Sequence, residues 1–132
     1  MAEPKLRAQY HSRMLPQGMC VWDIRRLVEL SRSLAIERVP LSAIRELDEP
    51  YWDGDNDQRL TCRDVAAHAR LISECDLSFP VILSSDGRVM DGMHRVCKAL
   101  SLGHDTIDAV RFLRDPEPDH IGIPLDDLPY DD

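Results

Sequence analysis

Aromatic side chains are scarce in this chain of 132 residues, which carries two Trp, three Tyr and two Phe. Its core must therefore be mainly aliphatic. Long apolar runs are missing as well. None approaches the roughly 18 residues that a membrane span requires, and no secretory leader is apparent. The four cysteines, Cys20, Cys62, Cys75 and Cys97, form no CxxC pair and show no metal-ligand spacing. Reduced thiols and a cytoplasmic location are the expectation. Basic clusters are also lacking, because the net charge is −8. That balance is opposite to the electropositive footprint of a duplex-binding module, so DNA binding is not expected and a nuclease groove is disfavoured.

The negative charge is unevenly spread. Seven acidic residues and no Lys or Arg lie between Asp115 and Asp132, and setting those seven aside from −8 leaves the remainder at −1. The length suits one domain able to bury its own core. Residues 1–20 show no sustained period and read as a loose arm. Residues 21–114 read as the folded domain, and 115–132 as an acidic, Pro-rich, solvated tail.

Within the domain, Asp23 is a good N-cap, followed by Ile24, Leu27, Val28 and Leu34 at helical spacing. Ile36 to Leu41 reads as a short strand, and Ser42 to Leu47 as a helical turn stopped by Pro50. Asp48 to Arg59 is polar and turn-rich. Asp53-Gly54-Asp55-Asn56-Asp57 resembles the start of a calcium loop, but Gln58 stands where the sharp turn wants Gly. Tyr51-Trp52 interrupts this stretch as a hydrophobic plug or a stacking surface. Thr61 and Asp64 make a capping-box-like pair ahead of a stripe of Val65, His68, Ala69 and Ile72. Pro80 to Ser84 and Arg88 to Asp91 form a hairpin around Ser85-Asp86-Gly87. Met93 to Leu102 is then a helix ended by Gly103, and Thr106 to Phe112 is a last strand.

The chemistry concentrates at Asp91-Gly92-Met93-His94-Arg95, an Asp-Gly corner opening directly into a helix. A helix start leaves backbone N–H groups unpaired at the positive end of its dipole, which suits a phosphate. Gly92 permits close approach, the Met93 N–H donates, and His94 and Arg95 can add positive charge. Lys98, one turn after His94, can reach the same anion. Asp91 is a helix cap or a magnesium ligand.

This corner resembles that of the ParB/sulfiredoxin superfamily. The likeness runs through Val39-Pro40-Leu41-Ser42-Ala43-Ile44, Thr61 to Ile72, and the strand–corner–helix–strand unit from Phe79 to Phe112. The resemblance implies a compact α+β domain, a small mixed sheet with helices packed around it. Sulfiredoxins carry their catalytic cysteine where this chain has Met93, and a thioether cannot act as a thiolate nucleophile. Cys97, one turn on, reads as buried and inert. The DNA-clamping and dimerisation parts of ParB proteins do not fit in this length. Free-serine kinases of the fold carry Asp-Gly-His-His-Arg, close to the corner here, with an acidic catalytic residue soon after the first strand. Glu46, Asp48 and Glu49 are the candidates for that base.

The resemblance thus implies binding of ATP, ADP or CTP with Mg, and phosphoryl transfer to a small hydroxyl acceptor as the enzymatic version. The alternative is a non-catalytic regulatory module that keeps the corner for folding and contacts a protein partner.

Overall fold

The computed structural model describes residues 9–52, 60–123 and 127–128. The calcium-like segment Asp53 to Asp57 lies outside them. Among the described residues the architecture is α+β, with two sheets and three α-helices in a single domain. Its centre is a four-stranded mixed sheet in the order β3-β6-β4-β5, from β3 (Glu37–Pro40), β4 (Val81–Leu83), β5 (Val89–Asp91) and β6 (Thr106–Arg111). β4 and β6 are parallel, and the other two pairings are antiparallel. The chain passes from β4 to its parallel neighbour through β5 and helix α3 (Met93–Ser101).

β4 is buried on both faces, as its unbroken Val-Ile-Leu run requires. Val81 and Leu83 join Val89, Ile107 and Ala109 beneath Met93, Val96 and Ala99 of α3, with Leu41 from a short 3-10 turn and Ile44, the extended residue between it and the next such turn, closing the layer. Ile82, Met90 and Val110 point the opposite way and meet Cys20, Trp22 and Leu27. This period-2 alternation gives the sheet two apolar faces and therefore two cores.

The second core is covered by elements that were expected to be irregular. Residues 10–20 are not a loose arm, because β1 (Tyr10–Leu15) and β2 (Gly18–Asp23) form an antiparallel hairpin leading into helix α1 (Ile24–Ser31). The inward positions of β1 are His11, Arg13 and Leu15, whereas Met14 is 65% exposed. A hydrophobicity pattern therefore runs out of phase with the true burial. Arg13 reaches Asp86 in the β4–β5 turn at 2.6 Å, and Ser84 donates to the same carboxylate.

The described part of the tail is likewise ordered. β7 (His120–Ile121) pairs with β2 and completes a three-stranded sheet. Trp22 donates to the Pro116 carbonyl at 2.8 Å, Arg26 meets Asp119 at 3.0 Å, and Asp115 accepts the Ser85 N–H at 2.7 Å. Asp115 and Asp119 are thus structural acceptors and not free solvated charge.

Helix α2 (Cys62–Glu74) has the expected capping box, Thr61 and Asp64 each accepting the other's backbone N–H at 3.1 and 3.0 Å. None of its residues is fully buried. Its C-terminal carbonyls are tied instead by Lys98, whose Nζ donates to Ser73 and Cys75 at 2.9 and 2.7 Å. Asp23 caps α1 by accepting the Arg25 N–H, and Gly103 closes α3 at φ +80°. Among the described residues no helix is long and apolar enough to cross a membrane.

His11, packed beside Trp22 with ring centroids 5.6 Å apart, is pushed down to about 4 by burial and by Arg13, against an opposing pull from Asp115. The unfolded chain takes up a proton near the ordinary histidine value that the native state refuses. Stability is therefore present above that value and falls as the pH drops below it. Between pH 7 and 5 the protein should lose about 2 kcal/mol more than a His11→Phe variant, measured by urea unfolding. Parallel pH profiles for the two would rule this out.

Candidate functional site

A cleft of about 690 Å³ opens where α3 begins. One wall is β1, through Tyr10, His11 and Ser12. The opposite wall is the loop Glu49-Pro50-Tyr51-Trp52, and the floor is Arg88 with the corner Asp91 to His94. Gly92 stands at the N-cap with φ +109°, a region costly for any residue with a Cβ. It offers no side-chain cap, so the first-turn amides of α3 meet the cleft without one.

Gly92 has a second reason to be glycine. A Cβ here would lie 2.9 Å from Nη2 of Arg95. That guanidinium is pinned by the Phe79 and Pro80 carbonyls at 2.9 and 3.0 Å and by Asp91 at 3.0 Å. Arg95 therefore knits the start of β4 and the end of β5 to the first turn of α3. It does not line the cleft. Asp91 does, but its carboxylate serves Arg95 and does not cap the helix. Lys98, bound to the end of α2, is also away from the cleft. Arg95 and Lys98 were expected to hold an anion; in the structure neither lines the cleft, Arg95 being bound to the Phe79 and Pro80 carbonyls and to Asp91, and Lys98 to the Ser73 and Cys75 carbonyls. Gly92, Met93 and His94 do come together at the cleft floor.

His94 is paired with another histidine. Its Nε2 is 2.8 Å from Nδ1 of His68 on α2, so one nitrogen donates and the other accepts. The indole of Trp52 stacks over both rings, at 4.2 Å from His68 and 4.8 Å from His94 between centroids. Burial, then the neighbouring His68, lowers the His94 value. His94 accordingly favours the neutral form and contributes hydrogen bonding instead of full positive charge. Trp52 is the hydrophobic plug, while Tyr51 meets its edge.

The three candidate carboxylates separate clearly. Asp48 is exposed at the end of a 3-10 turn. Glu49 lines the cleft and forms a two-pronged pair with Arg88, at 2.9 and 2.8 Å. Glu46 is 3% exposed; its Oε2 accepts the Val89 N–H at 2.8 Å and lies 3.4 Å from Arg88 Nε. Its Oε1 is buried with no hydrogen-bond partner among the described residues. Glu46 lines a smaller adjoining cavity of about 190 Å³, which Cys97 also borders. Cys97 is half-buried, and burial pushes its thiol up, in keeping with an inert role.

Arg88, His68 and the β1 wall were absent from the sequence-based site. Arg88 meets carboxylates 39 and 42 positions away in the chain, a pairing that no local spacing announces. Another depression, of about 500 Å³, lies at the opposite end of α3 beside Gly103 and His104 and is remote from the corner. Among the described residues no three His, Cys, Asp or Glu side chains are gathered as for a metal ion. Comparison of the chain with protein-family models, curated proteins and solved structures gave no match in any of the three.

The structural role of Arg95 is directly testable. Arg95→Met should lower stability by about 2–4 kcal/mol, since it leaves two strand-edge carbonyls and Asp91 without their charged donor. Gly92→Ala should cost about 1–3 kcal/mol alone, and less in the Arg95→Met background, where the 2.9 Å contact is gone. Strictly additive losses in a double-mutant cycle would refute the coupling.

Proposed function

We propose that this domain binds a nucleotide, or another phosphate-bearing small molecule, in the cleft at the start of α3. The observation that carries this reading is the uncapped helix start at Gly92 opening onto a cleft large enough for a nucleotide. Tyr10, Tyr51, Trp52 and His94 bring aromatic rings to the lining of the same cleft, which suits a base, while the helix amides suit the phosphates. The resemblance of Asp91-Gly92-Met93-His94-Arg95 to the ParB/sulfiredoxin corner supports the same choice. ATP, ADP and CTP are the ligands to try. A magnesium ion entering with one of them would meet Asp91 and compete there with Arg95. Such a ligand and four free cysteines fit a cytoplasmic setting.

The enzymatic version is transfer of a terminal phosphoryl group to a small hydroxyl acceptor. Of the three candidate carboxylates, Glu49 is the one in the cleft, so it is the base to which the hydroxyl proton would pass. A second reading, a non-catalytic binding or interaction module, is favoured by one observation. Arg88 engages both Glu46 and Glu49, which holds the carboxylates as structural partners.

Calorimetric titration with ATP, ADP and CTP in the presence of magnesium tests the binding claim. Ser12 is exposed on β1 and lines the cleft, so Ser12→Glu should place a repelling charge at the mouth without disturbing the core. We expect micromolar binding by the wild type and a loss of about tenfold or more in Ser12→Glu. An absence of heat with every nucleotide would overturn the reading. Once binding is seen, phosphorylation assays with free serine and other small hydroxyl compounds separate the enzyme from the module.

A further inference from the structure

We propose that Arg88 is the anion-receiving side chain of the cleft, and that Glu49 occupies its fork as an intramolecular stand-in for a phosphoryl ligand. The proposal rests on the reading of the cleft as a phosphate site and names the residue that recognises the phosphate.

Four observations lead to it. First, Arg88 is held from behind. Its Nε faces Glu46 at 3.4 Å, and Glu46 is itself fixed by the Val89 N–H and by burial. That contact leaves Nη1 and Nη2 as the free prongs of a preoriented fork. Second, both prongs are satisfied by the two oxygens of one carboxylate, at 2.9 and 2.8 Å. This parallel two-bond geometry is the one a guanidinium offers equally to a carboxylate or a phosphate. Third, the two carboxylates differ in freedom. Glu46 is 3% exposed, whereas the Glu49 side chain is 40% exposed on extended backbone just before Pro50. Glu49 can swing into solvent by side-chain rotation alone, while Glu46 cannot leave without stranding a buried charge. Fourth, Arg88 and Glu49 both line the cleft that contains the start of α3.

The chemistry of the exchange is simple. A phosphoryl oxygen pair takes the fork, Glu49 moves into water, and Arg88 keeps its contact with Glu46. No charge is left unpaired in the protein interior, since the departing carboxylate is already at the surface. The exchange also leaves Glu49 without its cation while ligand is bound, so the residue blocking the empty site is a free carboxylate in the filled one. Affinity for phosphate in the wild type is thus reduced by the competition, and Glu49 sets the concentration at which the site fills.

The test is a titration of the full chain with inorganic pyrophosphate, following the Arg88 side-chain Nε–H resonance by NMR. Wild type, Glu49→Gln, Glu49→Ala and Arg88→Lys are compared, the last keeping a positive charge for buried Glu46. Glu49→Ala should bind about three- to fivefold more tightly than wild type, the factor expected for removing one exposed ion pair, and Glu49→Gln should fall between them. Arg88→Lys should lose the tight binding, and adding Glu49→Ala to it should not restore it. Equal affinity in wild type and Glu49→Ala, or no binding in Glu49→Ala, would overturn the proposal. Acetate binding to Glu49→Ala more tightly than pyrophosphate would also overturn it, marking a carboxylate site. A parallel ADP titration separates the two readings. If Glu49→Ala gains pyrophosphate affinity but ADP binds no better than pyrophosphate, Arg88 stands as the receiver and the nucleotide reading falls. If wild type binds ADP and Glu49→Ala is unchanged toward both ligands, the cleft reading stands and the Arg88 exchange falls.

Discussion

Three hydrogen bonds from one guanidinium hold the centre of this molecule together. Arg95 joins the carbonyls of Phe79 and Pro80, where the chain enters β4, to Asp91, where it leaves β5. Because Arg95 belongs to the first turn of α3, the same contacts fix the direction in which that helix starts. The strand–corner–helix unit is therefore bound by charge-assisted bonds in addition to its apolar contacts. The positive φ of Gly92 is the backbone consequence, since that corner has room for the guanidinium only without a Cβ.

That arrangement governs what the cleft can offer. Basic residues crowd the neighbourhood in sequence, yet most are consumed by the architecture: Arg95 at the corner, Lys98 at the end of α2, Arg13 at the β4–β5 turn. Of the histidines lining the cleft, His94 shares a hydrogen bond with His68 beneath an indole, and burial favours the neutral form of both His94 and His11. Among the described residues, Arg88 is the one Lys or Arg side chain that lines the cleft. The charge available to a ligand is thus set by competition within the fold and not by the number of basic residues in the motif.

Local chemistry was legible in the sequence wherever one residue satisfies a backbone group nearby. Asp23 at the start of α1, the Thr61–Asp64 box and the Gly103 terminus follow from capping alone, and the β4–β5 hairpin and Gly92 corner from turn residues. The β1–β2 hairpin was hidden because its inward side chains include His11 and Arg13, which a hydrophobic pattern counts as outward. Glu46 looked like one acid among three in a polar stretch. Its burial depends on Val89 and Arg88, more than forty residues later, and such pairings leave no local periodicity. Arg95 and Lys98 were seen as cations, but the carbonyls that claim them belong to β4 and α2.

The docking of residues 116–121 on β2 has a kinetic side. Trp22 and Pro116 are 94 positions apart, Asp23 and Asp119 are 96, and the Gly122 N–H reaches the Met19 carbonyl across a still wider span, so these bonds close very long loops. Loop-closure entropy grows slowly with length, which is why such a strap is affordable at equilibrium. Contacts of wide sequence separation nonetheless come late in assembly. His120 packs edge-on against Tyr10, a residue of the cleft wall, with centroids 6.1 Å apart. The wall of the cleft is thereby finished by a late contact, and the central sheet can form before the cleft has its full lining.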